Sequence, residues 1–237
     1  SLGYVMAGLP DTELVRTRLE GPHTFANYLQ GQIAAFGDQC LCGLEKEAAH
    51  VRYDDTTGLW APVGFEHVEK FLISMCEHGS GQTLETEVND LSTDGFLLKT
   101  GTRSPKIIGV KGGGNGDISI EPGGAIELSA RPQTNLHNLK DVLKGHMSAC
   151  ERAAGIARTT LLTTGLHPLS YPHEIPVMPK ERYKILGEIT DRSGKAWHFF
   201  KHNATTQFHV GVSDTHDLLK KMRVALSVQP VLTAMFA

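Results

Sequence analysis

The chain has 237 residues, 40% hydrophobic and 21% charged, an ordinary composition for a folded protein with its own core. Its 23 basic and 26 acidic residues give a net charge of -3, so no basic field would attract nucleic acid or an anionic membrane. No run of about 20 apolar residues predicts a membrane helix, and the four cysteines lack the spacing of a zinc ribbon. We expect a cytoplasmic protein with free thiols, with a plastid as the alternative compartment.

The first third of the chain predicts two helical regions around a strand. Charged and apolar residues alternate at helical spacing from Thr12 to Phe36, so residues 1–40 are expected to be an N-terminal helical segment. LCGLEKEAAHV, at 41–51, is expected to be a strand, and DDTTG, at 54–58, a turn. Phe65–His78 has the apolar spacing of an amphipathic helix and is followed by glycine, which is typical of a helix end.

Short β-rich segments occupy the middle of the chain. GFLLKT, KIIGVK, DISIEP and AIELS are separated by turn-forming stretches, so residues 80–130 are predicted to form hairpins of an antiparallel sheet. The glycine-rich GVKGGGNGD, at 109–117, lacks the G-K-[ST] ending of a phosphate loop and is interpreted as one of these hairpins.

The last part of the chain mixes helices and strands. Leu136–Gly155 is the clearest predicted helix, and its apolar stripe comprises Leu136, Leu139, Val142, Leu143, Met147, Cys150 and Ala154. TTLLTTGLHP predicts a strand, LSYPHEIPVMPKERY a proline-punctuated loop, and residues 195–212 two further sheet segments. Ser213 or Asp214 is expected to cap a final helix. One α+β domain is the simplest architecture.

Two glutamates, Glu121 and Glu127, flank the Pro-Gly-Gly of SIEPGGAIELS. If these three residues form a hairpin loop, position 121 pairs with 125 and 119 with 127, so both glutamates emerge on one face. Glu45 and Glu47 are two apart on the earlier strand and also share a face. Four carboxylates facing one space repel each other, and hard cations such as Mg²⁺ neutralise such a cluster. The alternative is that each pair marks the solvated face of a half-exposed sheet.

In four stretches the chain resembles the glutamate-cysteine ligase family of the plant and proteobacterial type: SIEPGGAIELSARPQTNLH, IPVMPKERYKIL, TTQFHV and KKMRVALSVQPVLTAMFA. The likeness runs in order over residues 41–237, which are expected to be the catalytic core. It implies a glutamine-synthetase-like fold, with helices on the convex side of a curved antiparallel sheet and ATP, Mg²⁺ and glutamate on the concave face. It also implies the reaction: ATP phosphorylates the side-chain carboxylate of glutamate, and the amine of cysteine displaces phosphate. The product would be γ-glutamylcysteine, in the first step of glutathione biosynthesis.

The resemblance assigns roles by position. The acids that bind Mg²⁺ correspond to Glu45, Glu47, Glu121 and Glu127. The MPK-x-RY match makes Lys180 and Arg182 the candidate catalytic residues. The residues expected to contact the nucleotide are Lys180, Gln207 and His209, and those expected to contact the substrate are Ser129, Arg182 and Tyr183.

Several features keep alternatives open. Lys46 and Ala48 replace familiar neighbours of the first acids, His202 stands where an arginine is usual, and His209 where an asparagine is usual. The sequence begins with serine and ends inside an apolar run, so we expect a piece of a longer protein that lacks part of its site. The alternatives are a non-catalytic homologue or fragment that binds Mg²⁺ and nucleotide, and a γ-glutamyl ligase for another amine. The expected partners are small molecules, with no nucleic acid and no membrane, and a homodimer is left open.

Overall fold

The computed structural model describes residues 40–78, 82–87, 105–168, 171–192 and 196–236, together with the single helical positions 27 and 31. The predicted N-terminal helices and the predicted GFLLKT strand lie outside the described residues. The chain divides into two compact units, one of residues 43–208 and the other of residues 1–42 with 209–237. The predicted division into 1–40 and 41–237 stays a prediction.

The described residues contain eight strands in one largely antiparallel sheet, in the order β2-β1-β6-β5-β4-β3, with β7 and β8 also paired to β1. Their bounds are β1 Cys42–Asp54, β2 Leu59–Pro62, β3 Thr83–Glu87, β4 Lys106–Gly113, β5 Gly116–Ile120, β6 Ile126–Ala130, β7 Thr159–Leu162 and β8 Thr206–Val210. Tight hairpins join β4 to β5 and β5 to β6, as the sequence predicts. The glycine-rich stretch is therefore a hairpin.

Five helices accompany the sheet in the described residues: α1 Phe65–Glu77, α2 Leu136–Ala157, α3 Glu181–Arg192, α4 Ala196–His202 and α5 Thr215–Phe236. Asn135 caps α2 by accepting a bond from the Asn138 N–H at 2.9 Å, and Asp214 accepts from the Asp217 N–H at 2.8 Å before α5. Such caps satisfy backbone donors that the first turn of a helix leaves unpaired. Across the described residues, we find no helix with the length and apolarity that a bilayer crossing requires.

The core of the first unit lies between one face of the sheet and the helices α1 and α2. Ile118, Ile120, Ile126 and Leu128 alternate with polar residues along β5 and β6, and each is at most 2% exposed. Ile118, Ile120 and Ile126 pack with Val68, Phe71 and Leu72 of α1 and with Cys150, Ala153 and Ala154 of α2. Burying each large apolar side chain stabilises the fold by about 1.5–3 kcal/mol. This one-sided packing leaves the opposite face to the polar residues.

The predicted α+β class is confirmed, but the predicted stripe of α2 is partly wrong. Leu136 is 61% exposed and Met147 is 42% exposed, whereas His146 is 6% exposed. The reason is packing geometry: α2 approaches its neighbours through Leu139, His146, Cys150 and three alanines. Small residues allow close contact between elements, and the sequence prediction favoured the larger side chains instead.

Two local predictions after residue 170 are wrong. The proline-punctuated segment stops being a loop at Lys180, because α3 begins at Glu181 and contains Arg182 and Tyr183. Of the predicted segment 195–212, the structure describes residues 196–212, and these contain only one strand, β8, since the aromatic run before it forms α4. In α4 the ring of Phe200 packs 5.5 Å from Trp197 and 6.0 Å from Tyr183, so tertiary contacts outweigh the β propensity of the aromatic residues.

Replacing Gly124 with alanine is expected to destabilise the protein by about 1–3 kcal/mol, because its φ of 86° disfavours side chains. An added Cβ would also lie 3.0 Å from Val63 and 3.2 Å from Met178. Urea unfolding measures the change. The control is Gly114→Ala, where no atom lies within 4 Å of an added Cβ, and equal losses of stability in the two variants would contradict the expectation.

Candidate functional site

The pairing of β1, β5 and β6 brings acidic residues together on one face of the sheet. Glu47 lies directly opposite Glu127, and Glu127 lies directly opposite Ser119 on the next strand. Directly paired residues of antiparallel strands point to the same face, so these three side chains form one row. Glu45 lies opposite Ser129 in the neighbouring row. Ile118 and Ile120, on either side of Ser119, point to the opposite face and pack in the core with α1 and α2.

Glu121 reaches this face through the Pro-Gly-Gly loop. Its N–H donates to the Ala125 carbonyl at 2.8 Å, and the Gly124 N–H donates to the Glu121 carbonyl at 2.8 Å. The predicted pairing of 121 with 125 and of 119 with 127 is therefore confirmed. The loop also packs tightly, since a Cβ added to Gly123 would lie 2.2 Å from the Lys201 carbonyl oxygen. The alternation of side chains along β5 gives Glu121 the same direction as Ser119.

The carboxylates act on one another electrostatically. The pKa of Glu121 is raised to about 8, chiefly by burial and then by the charges of Glu127 and Glu47, while Lys180 opposes the rise. Burial also raises the pKa of Glu127, followed in effect by the charge of Glu45. Like charges that disfavour each other's ionised form lie close together. The four acids predicted from the sequence thus form a single cluster.

Hydroxyl groups hold two of the carboxylates in place. Glu127 Oε1 accepts from Ser119 Oγ at 3.1 Å and from Ser129 Oγ at 3.4 Å. Glu47, which is 8% exposed, accepts from the Thr205 N–H at 2.7 Å and from Thr205 Oγ1 at 3.0 Å. Hydrogen bonds to the charged form favour it, so these donors partly offset the repulsion within the cluster.

Lys180 and the first turn of α3 lie beside Glu121. Lys180 is only 7% exposed, and its Nζ donates to the Ile120 carbonyl at 2.8 Å. Tyr183 donates to the same carbonyl, and burial raises the pKa of its hydroxyl. Lys180 therefore ties the MPK segment to the end of β5 while it supplies positive charge to the acidic cluster.

Arg182 is the more accessible of the two predicted basic residues. Its Nη2 lies 3.7 Å from Glu121 Oε1, and the Arg182 side chain is 30% exposed. The same nitrogen donates to the Tyr183 hydroxyl at 2.8 Å, and the guanidinium carbon lies 4.7 Å from the centre of the Tyr183 ring. Tyr183 therefore orients the guanidinium, which can contact an anion at the edge of the cluster.

The two remaining predicted residues belong to β8. Gln207 is exposed on β8, which pairs with β1. His209 is exposed and belongs to the other compact unit, so its expected role in nucleotide binding stays a prediction. The residues that the structure brings together are Glu45, Glu47, Glu121, Glu127, Ser129, Lys180, Arg182 and Tyr183.

The carboxylates of the cluster are not already arranged as ligands around one ion. In the part of the chain that the structure describes, no three His, Cys, Asp or Glu side chains are already placed to hold an ion. Thr205 and the serines already donate hydrogen bonds to the carboxylates of Glu47 and Glu127. Two hollows, of about 310 Å³ beside His146 and about 560 Å³ beside Arg158, are lined by other residues.

Sequence reasoning missed two residues of the cluster. Ser119 could have been predicted, because side chains alternate along a strand and residues 119 and 121 therefore share one face. Thr205 had no such signal, since it lies 158 positions from Glu47 and meets it only through the pairing of the folded chain.

Comparisons with known proteins agree with the resemblance. The model of Glutamate-cysteine ligase family 2 (GCS2) matches residues 74–237. The chain is similar to the chloroplastic glutamate-cysteine ligase of Solanum lycopersicum, at 35% identity over 56% of this chain and 25% of that protein. It is also similar to that of Arabidopsis thaliana, at 34% identity over 56% of this chain and 25% of the relative. The match thus spans about a quarter of the length of these relatives.

A pH-dependent difference in stability is expected for Glu121→Gln in the metal-free protein. The pKa of Glu121 is raised from 4.5 to about 8, so the folded state keeps a proton that the unfolded state releases. This stabilisation is complete below the unfolded pKa and is lost as pH rises through the folded pKa. Glutamine imitates the protonated form, so the variant should match the native protein near pH 4.5 and exceed its stability above pH 8.

The gain well above pH 8 should be about 5 kcal/mol, since the pKa of Glu121 is raised from 4.5 to about 8 and one pKa unit corresponds to about 1.4 kcal/mol. Urea unfolding at both pH values gives the difference, and titrating groups outside the cluster cancel between the two proteins. Glu188→Gln, at an exposed position of α3, is the control. A Glu121→Gln effect that is the same at both pH values would contradict the expectation.

Proposed function

Because the chain belongs to the glutamate-cysteine ligase family 2, we propose that the complete protein joins glutamate to cysteine in an ATP-dependent reaction. The observation that carries the proposal is the single cluster of acids that includes Glu121 and Glu127, beside Lys180 and Arg182, in the matched region. Glu45 and Glu47 precede that region, and the strand register connects them with it.

We also propose that the core has a glutamine-synthetase-like fold. A largely antiparallel sheet with helices on one face and polar side chains on the other supports this proposal. The nucleotide and both amino acids would then bind on the carboxylate face. The names of the relatives state that they are chloroplastic, which supports a plastid location. The cytoplasmic location and the homodimer stay predictions.

The donor set of the cluster fits Mg²⁺. Mg²⁺ prefers hard oxygen ligands. The pKa values of Glu121 and Glu127 are raised by burial and by neighbouring acids, so a cation that neutralises these carboxylates would stabilise them. Glu45, Glu47, Glu121 and Glu127 are the residues that would hold the ion. When bound, Mg²⁺ would neutralise negative charge that develops on the phosphates of ATP.

The chain's own residues would organise the substrates. In the reaction, a γ-carboxylate oxygen of glutamate attacks the γ-phosphorus of ATP, and ADP leaves. The amine of cysteine then attacks the acyl carbon of this γ-glutamyl phosphate, phosphate leaves, and the nitrogen loses a proton. Arg182, with its guanidinium directed by Tyr183, would bind the anionic groups. Lys180 would hold the MPK segment and add positive charge where the phosphoryl group moves.

In the complete protein, Glu121→Gln and Glu127→Gln should each lower kcat by about a hundredfold or more, because each removes a group on which transition-state charge stabilisation depends. ADP release that depends on both glutamate and cysteine is the measurement, and Glu188→Gln is the control. Circular dichroism shows that the variants fold.

Three outcomes would overturn parts of the proposal. Unchanged kcat in either variant rules out the carboxylate cluster as the reaction site. ADP release that requires an amine other than cysteine keeps the chemistry and replaces the substrate. Binding of Mg-ATP with no ADP release in the complete protein supports the non-catalytic alternative.

A further inference from the structure

Two histidines lie on one face of α4. The sequence HFFKH places His198 and His202 four residues apart, so their side chains are neighbours along the helix. Their ring centres are 5.4 Å apart, with an angle of 69° between the ring planes. Two histidines at this spacing on a helix are a recurring arrangement for binding zinc.

A third histidine, His167, is held beside this pair by main-chain pairing. The His167 N–H donates to the His202 carbonyl at 2.7 Å, and the Ala204 N–H donates to the Gly165 carbonyl at 3.0 Å. These bonds flank an antiparallel bridge that pairs residue 166 with residue 203. The rings of His167 and His202 are stacked, with centres 6.3 Å apart and planes 9° from parallel.

The His167 ring is buried, and the described residues supply no hydrogen-bond partner to its nitrogens. It is 6% exposed, and neither ring nitrogen has a hydrogen-bond partner among them. The main chain of His50 is near enough to act on the ring electrostatically, but it lies outside ordinary hydrogen-bond geometry. Burying polar nitrogens without partners is costly, and a metal ion would satisfy one of them.

We propose that His167, His198 and His202 form a binding site for a divalent transition-metal ion of the zinc class, separate from the carboxylate cluster. Zinc–nitrogen bonds of about 2.0–2.1 Å place the ring centres of two ligands roughly 5 Å apart. The pair on α4 already has this separation. The ring centres of His167 and His202 are 6.3 Å apart, so the His167 ring would have to turn and approach to bind the same ion. Imidazole nitrogen selects zinc, copper or nickel over Mg²⁺.

The ion would reach the site from solvent, since His198 is exposed while His167 is buried. It would tie the end of α4 to the segment around residue 166. Three residues after His202, Thr205 holds the carboxylate of Glu47, so the site would stabilise the segment that orients this acid. The proposal does not depend on the proposed ligase activity.

The test is zinc binding by the complete protein, freed of metal and kept in excess MgCl₂ so that Mg²⁺ occupies the carboxylates. Calorimetric titration with ZnCl₂ should give one ion per chain, with a rise in Tm at saturation. His198→Gln and His202→Gln should each weaken zinc binding about tenfold or more, because each removes a ligand. His137→Gln, at an exposed position of α2, is the control.

His167 is buried, so His167→Gln could unfold the chain. His198 is exposed, so His198→Gln should leave the fold intact and still test the site. Circular dichroism without zinc shows whether each variant folds. The proposal is overturned if the native protein binds no zinc under these conditions. It is also overturned if His198→Gln and His202→Gln bind zinc as tightly as His137→Gln, or if Glu121→Gln alone abolishes binding.

Discussion

Repulsion among carboxylates on one face of a sheet is the constraint to which the rest of the structure responds. Glu47 faces Glu127 across β1 and β6, and the neighbouring acids make ionisation of Glu121 and Glu127 less favourable. Hydrogen bonds partly offset this repulsion. Two serine hydroxyls donate to Glu127, and the N–H and hydroxyl of Thr205 donate to Glu47. These contacts are enough to keep the acids in the fold, yet Glu121 stays mostly protonated at neutral pH without a cation. A cluster in this state is prepared to bind cations.

The positions of the acids depend on features outside the cluster. The apolar faces of β5 and β6 pack on α1 and α2, so the strands cannot shift register without exposing the core. The Pro-Gly-Gly loop fits against the Lys201 carbonyl, and Lys180 and Tyr183 both bind the Ile120 carbonyl. The MPK segment and the loop that carries Glu121 therefore form one hydrogen-bonded assembly. A change in α3 or α4 would be transmitted to the acids through these contacts.

Local sequence patterns predicted the β5–β6 hairpin of the site, but they did not predict the long-range contacts that the hairpin residues and Glu47 make. The alternation in SIEPGGAIELS was sufficient for the register of Ser119 with Glu127, because both strands belong to one hairpin. The pairing of Glu47 with Glu127 is a long-range contact, and the sequence supported only the expectation that the two pairs share a space. Thr205 and the stacking of His167 on His202 arise from tertiary structure and had no local signal. The aromatic residues of α4 have the propensity of a strand, but the packing of Phe200 on Tyr183 favours a helix, and local sequence does not show this contact.

The most direct test of the account is the free energy of unfolding as a function of MgCl₂ concentration at pH 8, with ionic strength held constant by NaCl. If cations relieve repulsion within the cluster, stability should rise with Mg²⁺, by about 1.4 kcal/mol for each tenfold increase in concentration above the Kd, and the rise should shrink in Glu47→Gln and Glu127→Gln. A stability that does not change with Mg²⁺, or that rises equally in both variants and the native protein, would contradict the account.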